Sequence, residues 1–260
     1  NMLVADADMI GKGVGKQAAL EVRRIFETNE VHLETLARSS AILHGDDATR
    51  RAKLQEVKQD TDVFSNISYL DVNGIGIDSD GSVLDRSDRD YFKKAVQTKK
   101  VVVSEPVISA ITGKVVTVIA VPVLENGTLT GIVTGTVGLS RFDETLSKMA
   151  TYRTGQLVVM DETGIVIIHP NEAAQVGKLD FSKEVSSVKI SMSLVDAFKS
   201  VIDKDEPALA HYARESGEEM TGILVPIHLD GRRWVVMSEA SDSEILENAH
   251  ALLMVLAGLT

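Results

Sequence analysis

Cysteine is absent from the 260 residues, which removes thiolate nucleophiles, zinc–thiolate sites and disulfides together. An oxidising compartment is compatible with that absence. Aromatic residues are scarce: six Phe, four Tyr and one Trp leave few platforms on which bases could stack. Positive charge is short as well, with 27 Lys and Arg against 38 Asp and Glu and a formal charge of −11. No basic stripe offsets this, so nucleic acid is excluded as a partner class. No signal-peptide pattern is visible after Asn1, and long apolar runs are missing. The apolar stretch from Ala251 to Leu259 falls short of the roughly 20 residues a bilayer span needs. It reads either as the end of a buried helix or as the start of a transmembrane segment.

Motifs for chemistry are missing too. The six histidines show no H-x-x-x-H or H-E-x-x-H spacing, and His169-Pro170 reads as a strand end. No G-x-S-x-G elbow exists. Gly11-Lys-Gly-Val-Gly15 follows no strand, so it is no phosphate loop; glycine this dense weakens a helix, and residues 1–12 are expected to fray. Asp78-Ser-Asp80-Gly-Ser82 resembles half a calcium loop without its bidentate Glu and reads as a turn. No metal and no cofactor is expected.

What the chain does contain, it contains twice. Asp71-Val-Asn-Gly-Ile-Gly-Ile77 returns as Asp161-Glu-Thr-Gly-Ile-Val-Ile167, and Val121-Pro-Val-Leu-Glu-Asn-Gly127 returns as Val225-Pro-Ile-His-Leu-Asp-Gly231. D-x-x-G, N-G and D-G are turn chemistry between antiparallel strands, so the repeat implies a duplicated β module. At 44% hydrophobic the chain can bury one large core or two modest ones, and the repeat favours two. Only the first copy appears with a polar insert carrying arginines, Asp85-Arg-Ser-Asp-Arg-Asp-Tyr-Phe-Lys-Lys94.

Periodicity predicts one long helix over 9–44, or two broken near Glu27-Thr28-Asn29, then a short helix and loop over 46–62. Val, Ile and Thr enrichment predicts strands near 64–71, 74–78, 101–109, 114–124 and 129–139. A helix over 88–99 is expected to start from Asp88 or Ser87 as N-cap, with another over 140–149. The second copy predicts strands near 156–160, 164–169, 207–214, 219–228 and 233–239, and a helix near 192–202. A last helix opens on a capping box, Ser241-x-x-Glu244.

Arg89, Tyr91 and Phe92 are the informative group. They stand at a helix start, where free N–H groups and the dipole favour anions, and an arginine can fork onto a carboxylate. The ordinary alternative is an ion pair of Arg89 with Asp85 or Asp88. Thr134 and Thr136 share one strand face, as do Val107 and Ser109.

Asp88-Arg-Asp-Tyr-Phe92, Val103-Ser-Glu-Pro-Val-Ile-Ser109, Thr112-Gly-Lys114, Ala120-Val-Pro-Val123 and Gly131-Ile-Val-Thr-Gly-Thr-Val-Gly-Leu139 resemble the membrane-distal module of double Cache sensor domains. Asp161-x-x-Gly164, His169-Pro-Asn171, Val176-Gly-Lys178 and Arg233-Trp-Val-Val-Met237 continue the likeness into the second half. The resemblance implies an α+β fold: a long N-terminal helix with its connector over 1–62, then two tandem PAS-like (Cache) modules with antiparallel sheets, over 63–150 and 151–240. A C-terminal helix over 241–260 then leads to a transmembrane segment. Amino-acid-sensing members hold the ligand carboxylate through an R-x-W-Y motif. Carried over, the arginine is Arg89, the tryptophan position is Tyr91 and the tyrosine is Phe92. The positions that hold the ligand ammonium fall on Val107, Ser109 and Thr136. The carboxylate anchor survives and the ammonium anchor does not, which resembles members that bind small organic acids, with Thr134 on the same face.

The expectation is a non-enzymatic ligand-binding sensor, the extracytoplasmic (periplasmic or extracellular) part of a membrane protein that forms a homodimer through its N-terminal helix. A chemoreceptor leads, a histidine kinase, diguanylate cyclase or amino-acid sensor follows, and a hydrolase or an empty dimerisation module trails. The second module, without an arginine–aromatic helix start, is expected to bind nothing comparable.

Overall fold

The computed structural model describes residues 2–61, 63–109, 113–172, 175–182, 192–214 and 216–248, with the backbone alone for 2–10. The expected transmembrane lead at 251–259 lies outside the described residues. No described helix is long and apolar enough to cross a membrane.

The first helix, α1 (Met2–Ala37), is the long one, but it stops before 44. Ser39 takes extended backbone and opens α2 (Ser40–His44), its Oγ accepting the Ile42 N–H at 3.4 Å. The break therefore falls at 38–39 and not near 27–29. There, Thr28 and Asn29 donate to the carbonyls of Arg24 and Ile25, each at 2.8 Å, which satisfies polar side chains without leaving the helix. Two of the three glycines expected to weaken α1, Gly11 and Gly15, are packed instead. A Cβ on Gly11 would stand 2.4 Å from Ile223 Cδ1, and one on Gly15 2.8 Å from Val225 Cγ2, so the helix comes closer to that strand than any side chain would allow. Residues 47–61, expected as a short helix with a loop, form a full helix, α3 (Asp47–Thr61).

The chain divides into two compact units: 24–139 with 229–232, and 1–23 with 140–228 and 233–260. The first unit continues through β1 (Phe64–Asp71), β2 (Ile75–Asp78), β3 (Val83–Asp85), α4 (Asp90–Thr98), β4 (Val102–Val103), β5 (Val107–Ile108), β6 (Val115–Glu125) and β7 (Thr128–Gly138). Its sheet runs β3-β2-β1-β7-β6-β4, with β5 also on β6, and every pairing in it is antiparallel. The single strand expected over 101–109 is two short ones, because Pro106 lacks the N–H a continuous ladder needs and Ser104 turns its Oγ to the Val118 N–H. β3 was not foreseen.

The second unit follows a 3-10 turn (Leu139–Phe142) and α5 (Asp143–Met149) where one helix was expected. It comprises β8 (Gln156–Met160), β9 (Val166–Ile168), α6 (Met192–Lys204), β10 (Ala208–Ala213), β11 (Glu219–Leu229) and β12 (Arg232–Ser241), in sheet order β10-β11-β12-β8-β9. Residues 242–248 are helical. The capping box at their start is half made. Ser241 Oγ accepts the Glu244 N–H, while the Glu244 carboxylate takes the Arg153 and Thr154 N–H groups at 2.6 and 2.7 Å instead. The α+β architecture is as expected.

The two sheets obey one plan, visible in their hydrogen bonds. Asp71 Oδ1 accepts the N–H groups of Asn73 and Ile75, and Asp161 Oδ1 those of Thr163 and Ile165. The glycine of each D-x-x-G sits at positive φ, +87° at Gly74 and +95° at Gly164, where a Cβ would strike backbone. A third repeat joins these. Asp85 Oδ1 accepts from the N–H and Oγ of Ser87, and Asp180 Oδ1 from those of Ser182. Between them, the Arg86 N–H donates to Gly74 O at 2.8 Å and the Phe181 N–H to Gly164 O at 2.7 Å. Leu-Asp-Arg-Ser87 and Leu-Asp-Phe-Ser182 are thus the same element. The first copy's insert is unique in its arginine and not, at that point, in its backbone.

Candidate ligand-binding site

One face of the first sheet packs α4 through Leu70, Val102, Ala120 and Ile132 beneath Phe92 and Ala95, with Leu84, Tyr91, Val96 and Leu129 at the margin. Strand alternation carries that face past the helix. The next row pairs Ser68 with Thr134 across β1 and β7, and the row beyond pairs Asn66 with Thr136. Val107 lies opposite Val116, and the Ser109 N–H donates to Lys114 O, which puts both on the same face by register. Phe92, Thr134, Thr136, Val107 and Ser109 therefore share one side of one sheet, with Arg89 and Tyr91 at the start of the helix that covers it.

Their states differ. Phe92 is a core residue. Val107 is 51% exposed and Thr136 and Ser109 are half-buried. Arg89 is itself the N-cap of α4, in place of Asp88 or Ser87, and makes no side-chain cap bond. Its guanidinium is exposed, with Nε 3.4 Å from Asp88 Oδ1, the solvated ion pair weighed as the ordinary alternative. Tyr91 is half-buried; burial pushes its phenol up, and the charges of Arg86 and Arg89 pull the other way.

Ser68 and Thr134 carry the strongest signal. Each is 5% exposed, and among the described residues neither hydroxyl has a hydrogen-bond partner. Neither oxygen is among the fully buried unsatisfied side-chain atoms, so the facing pair is a polar lining that keeps access to a small guest. The acid on this face, Asp78, is committed: Oδ1 accepts the Asp80 and Ser82 N–H groups at 2.9 Å each, and Oδ2 the Asn66 amide at 3.2 Å. The half calcium loop is accordingly a turn.

Sequence reasoning missed Ser68 and Arg86. Serine in a strand carries no signal of its own, but Arg86 could have been found by aligning Leu-Asp-x-Ser across the two halves.

The second sheet fills the corresponding face. Register makes Val158 the counterpart of Ser68 and Met237 that of Thr134, and both are core residues beside Phe181 under α6. Glu239 stands where Thr136 does, opposite Gln156 in place of Asn66. Tyr212 and Arg214 answer to Val107 and Ser109. These four bond one another: Glu239 accepts from Gln156 at 2.6 Å, from Arg214 at 2.7 Å and from the Tyr212 hydroxyl. His169, at the end of β9, accepts the Glu172 N–H at 3.2 Å, and burial pushes its imidazole down. Among the described residues no cluster of His, Asp and Glu could hold a metal ion.

The Cache domain model matches residues 5–249, and the chain belongs to the Cache domain family. That membership makes it a sensor domain. No curated protein matches. Among solved structures, the ligand-binding domain of the Pseudomonas fluorescens chemoreceptor CtaA in complex with L-isoleucine is similar at TM-score 0.74 and 18% identity, over 95% of this chain and 97% of that one. The ligand-binding domain of the Pseudomonas aeruginosa chemoreceptor PctC in complex with GABA gives 0.69 and 18%, over 88% and 97%. The extracellular domain of the putative histidine kinase mmHK1S-Z3 gives 0.69 and 18%, over 97% and 99%. At such identities the likeness is one of fold.

Proposed function

We propose that this chain is the extracytoplasmic sensor domain of a membrane-anchored chemoreceptor, and that its first module binds a small organic acid, without turnover, between α4 and the sheet. Arg89 takes the carboxylate, Tyr91 and Phe92 wall the site, and Ser68, Thr134 and Thr136 receive the polar remainder, with Val107 and Ser109 at its edge. Two copies pair through α1 in this reading. The observation that carries it is the unpartnered Ser68–Thr134 pair on a face whose acid, Asp78, is already spent. Two other acids that could serve an ammonium are also engaged: Asp71 in its turn, and Glu105 with Arg232 at 3.2 Å. An amine placed there would lack an ionised partner, which is costly in a buried site. The similar structures holding L-isoleucine and GABA favour an amino-acid sensor as the second reading, and the kinase extracellular domain favours a kinase output as an alternative to chemotaxis.

Calorimetry on Arg89→Ala tests the anchor. Loss of a charge partner for a bound carboxylate costs about 2–5 kcal/mol, roughly thirtyfold or more in affinity. The melting temperature is expected to stay, because the exposed pair with Asp88 is worth ~0–1 kcal/mol. Undiminished acid binding by the folded variant removes Arg89 from the site.

A further inference from the structure

We infer that Arg86 is a second anion anchor beside Arg89, and that the ligand of the first module is a small dicarboxylate. This rests on the organic-acid reading above and narrows it.

Three observations converge on Arg86. The slot it occupies faces inward: its counterpart Phe181, held by the same backbone bond to a D-x-x-G glycine, is 4% exposed in the core under α6. Leu84, two residues earlier in the strand, packs against the cluster beneath α4, and alternation sends position 86 to the same side. A guanidinium has thus replaced a core aromatic. That guanidinium is also under-used. Arg86 is half-buried, and among the described residues its side chain makes one hydrogen bond, Nη1 to Asp85 O at 3.2 Å, from a group with five donors. Exposed Asp85 feels its charge but forms no ion pair with it among the described residues. Asp85 spends Oδ1 on Ser87, and Asp88 pairs with Arg89. Finally, the two arginines are held together. Arg86 O accepts the Arg89 N–H at 3.1 Å, closing a four-residue turn whose end Cα atoms lie within ~7 Å. The phenol of Tyr91 feels both charges.

Each of the two guanidiniums on this turn has only an exposed aspartate beside it, a partner that a bound carboxylate can displace or outbid. One carboxylate is satisfied by one bidentate fork, which leaves the second guanidinium unspent. A ligand with two carboxylates on a short chain answers both, and the Ser68 and Thr134 hydroxyls suit an oxygen substituent between them.

The test is a calorimetric comparison of succinate and malate with butyrate and lactate, on the wild-type domain and on Arg86→Gln, Arg86→Lys and Arg89→Gln. The wild type is expected to bind the diacids about tenfold or more tighter than the monoacids. Arg86→Gln is expected to erase that preference, weakening the diacids at least about tenfold more than the monoacids, with Arg86→Lys between, since lysine keeps the charge without the fork. Acid binding that depends on Arg89 but not on Arg86, or a wild type that takes monoacids as tightly as diacids, overturns this inference and leaves the organic-acid reading standing. No binding of any acid by the wild type overturns both. Melting curves of each variant separate lost affinity from lost fold.

Discussion

Glu239 holds, in the second module, the strand position that Thr136 holds in the first, and burial pushes its carboxyl from 4.5 up to about 7. The Gln156 amide works against that rise and the charge of Glu172 adds to it, and burial prevails. A carboxyl raised on folding stabilises the native state in its protonated form. Its contribution is full below the unfolded value, near 4.5, and is lost as pH climbs through about 7. At ~1.4 kcal/mol per pH unit the loss is on the order of 3–4 kcal/mol. Glu239→Gln is therefore expected to show a flatter stability profile between about pH 4.5 and 7 than the wild type, in melting curves taken across that range. Parallel profiles would mean that Glu239 stays ionised throughout. Single residues were the least legible scale. Thr134, Thr136 and Ser109 could be named from the resemblance, but not that Ser68 stands opposite Thr134, because pairing depends on register and register on the whole sheet. That Arg89 stands at a helix start was legible, and its role as N-cap was not, because helix starts are set within a residue or two by local backbone.

Elements were read well wherever their chemistry is local. The D-x-x-G turns announce themselves because an aspartate capping two N–H groups and a glycine at positive φ are requirements of the turn itself. Asn126 and Gly127, both at positive φ (50° and 80°), mark the β6–β7 hairpin for the same reason. The long helix was legible in its period and not in its end, since Ser39 is an N-cap only once Ala37 has stopped. The glycines of α1 were misread, because propensity counts their cost inside the helix and cannot see the strand they admit. Gly13 and Gly15 separate these two effects. A Cβ on exposed Gly13 meets nothing within 4 Å, so Gly13→Ala is expected to stabilise by about 0.5–1 kcal/mol through helix propensity. Gly15→Ala gains the same term but presses on Val225, a stiff, 4% exposed side chain, and is expected to melt below the wild type. Denaturant melts of the pair check it; equal gains at both positions would show that α1 is loosely seated on β11.

The whole molecule is one plan executed twice with opposite interiors. Where the first module presents Ser68, Thr134 and a half-buried Arg86, the second presents Val158, Met237 and Phe181. Where the first has Thr136, Val107 and Ser109, the second has Glu239, Tyr212 and Arg214 tied into one hydrogen-bonded group. Duplication was plain in the sequence from its turns. The difference between the two interiors was only half plain, because the arginine–aromatic helix start marks the first module, while the filling of the second is written in strand positions that align only in three dimensions. The account predicts one site per chain, and a site that prefers a hydroxyl to an ammonium. Titrating the purified domain by calorimetry with malate and with aspartate tests both claims at once, since the two differ chiefly at the α-substituent. The predicted result is one malate per chain, bound at least about tenfold tighter than aspartate, as expected when an amine loses ~1–3 kcal/mol for want of an ionised partner. Aspartate binding tighter than malate, or two equivalent sites per chain, would contradict it.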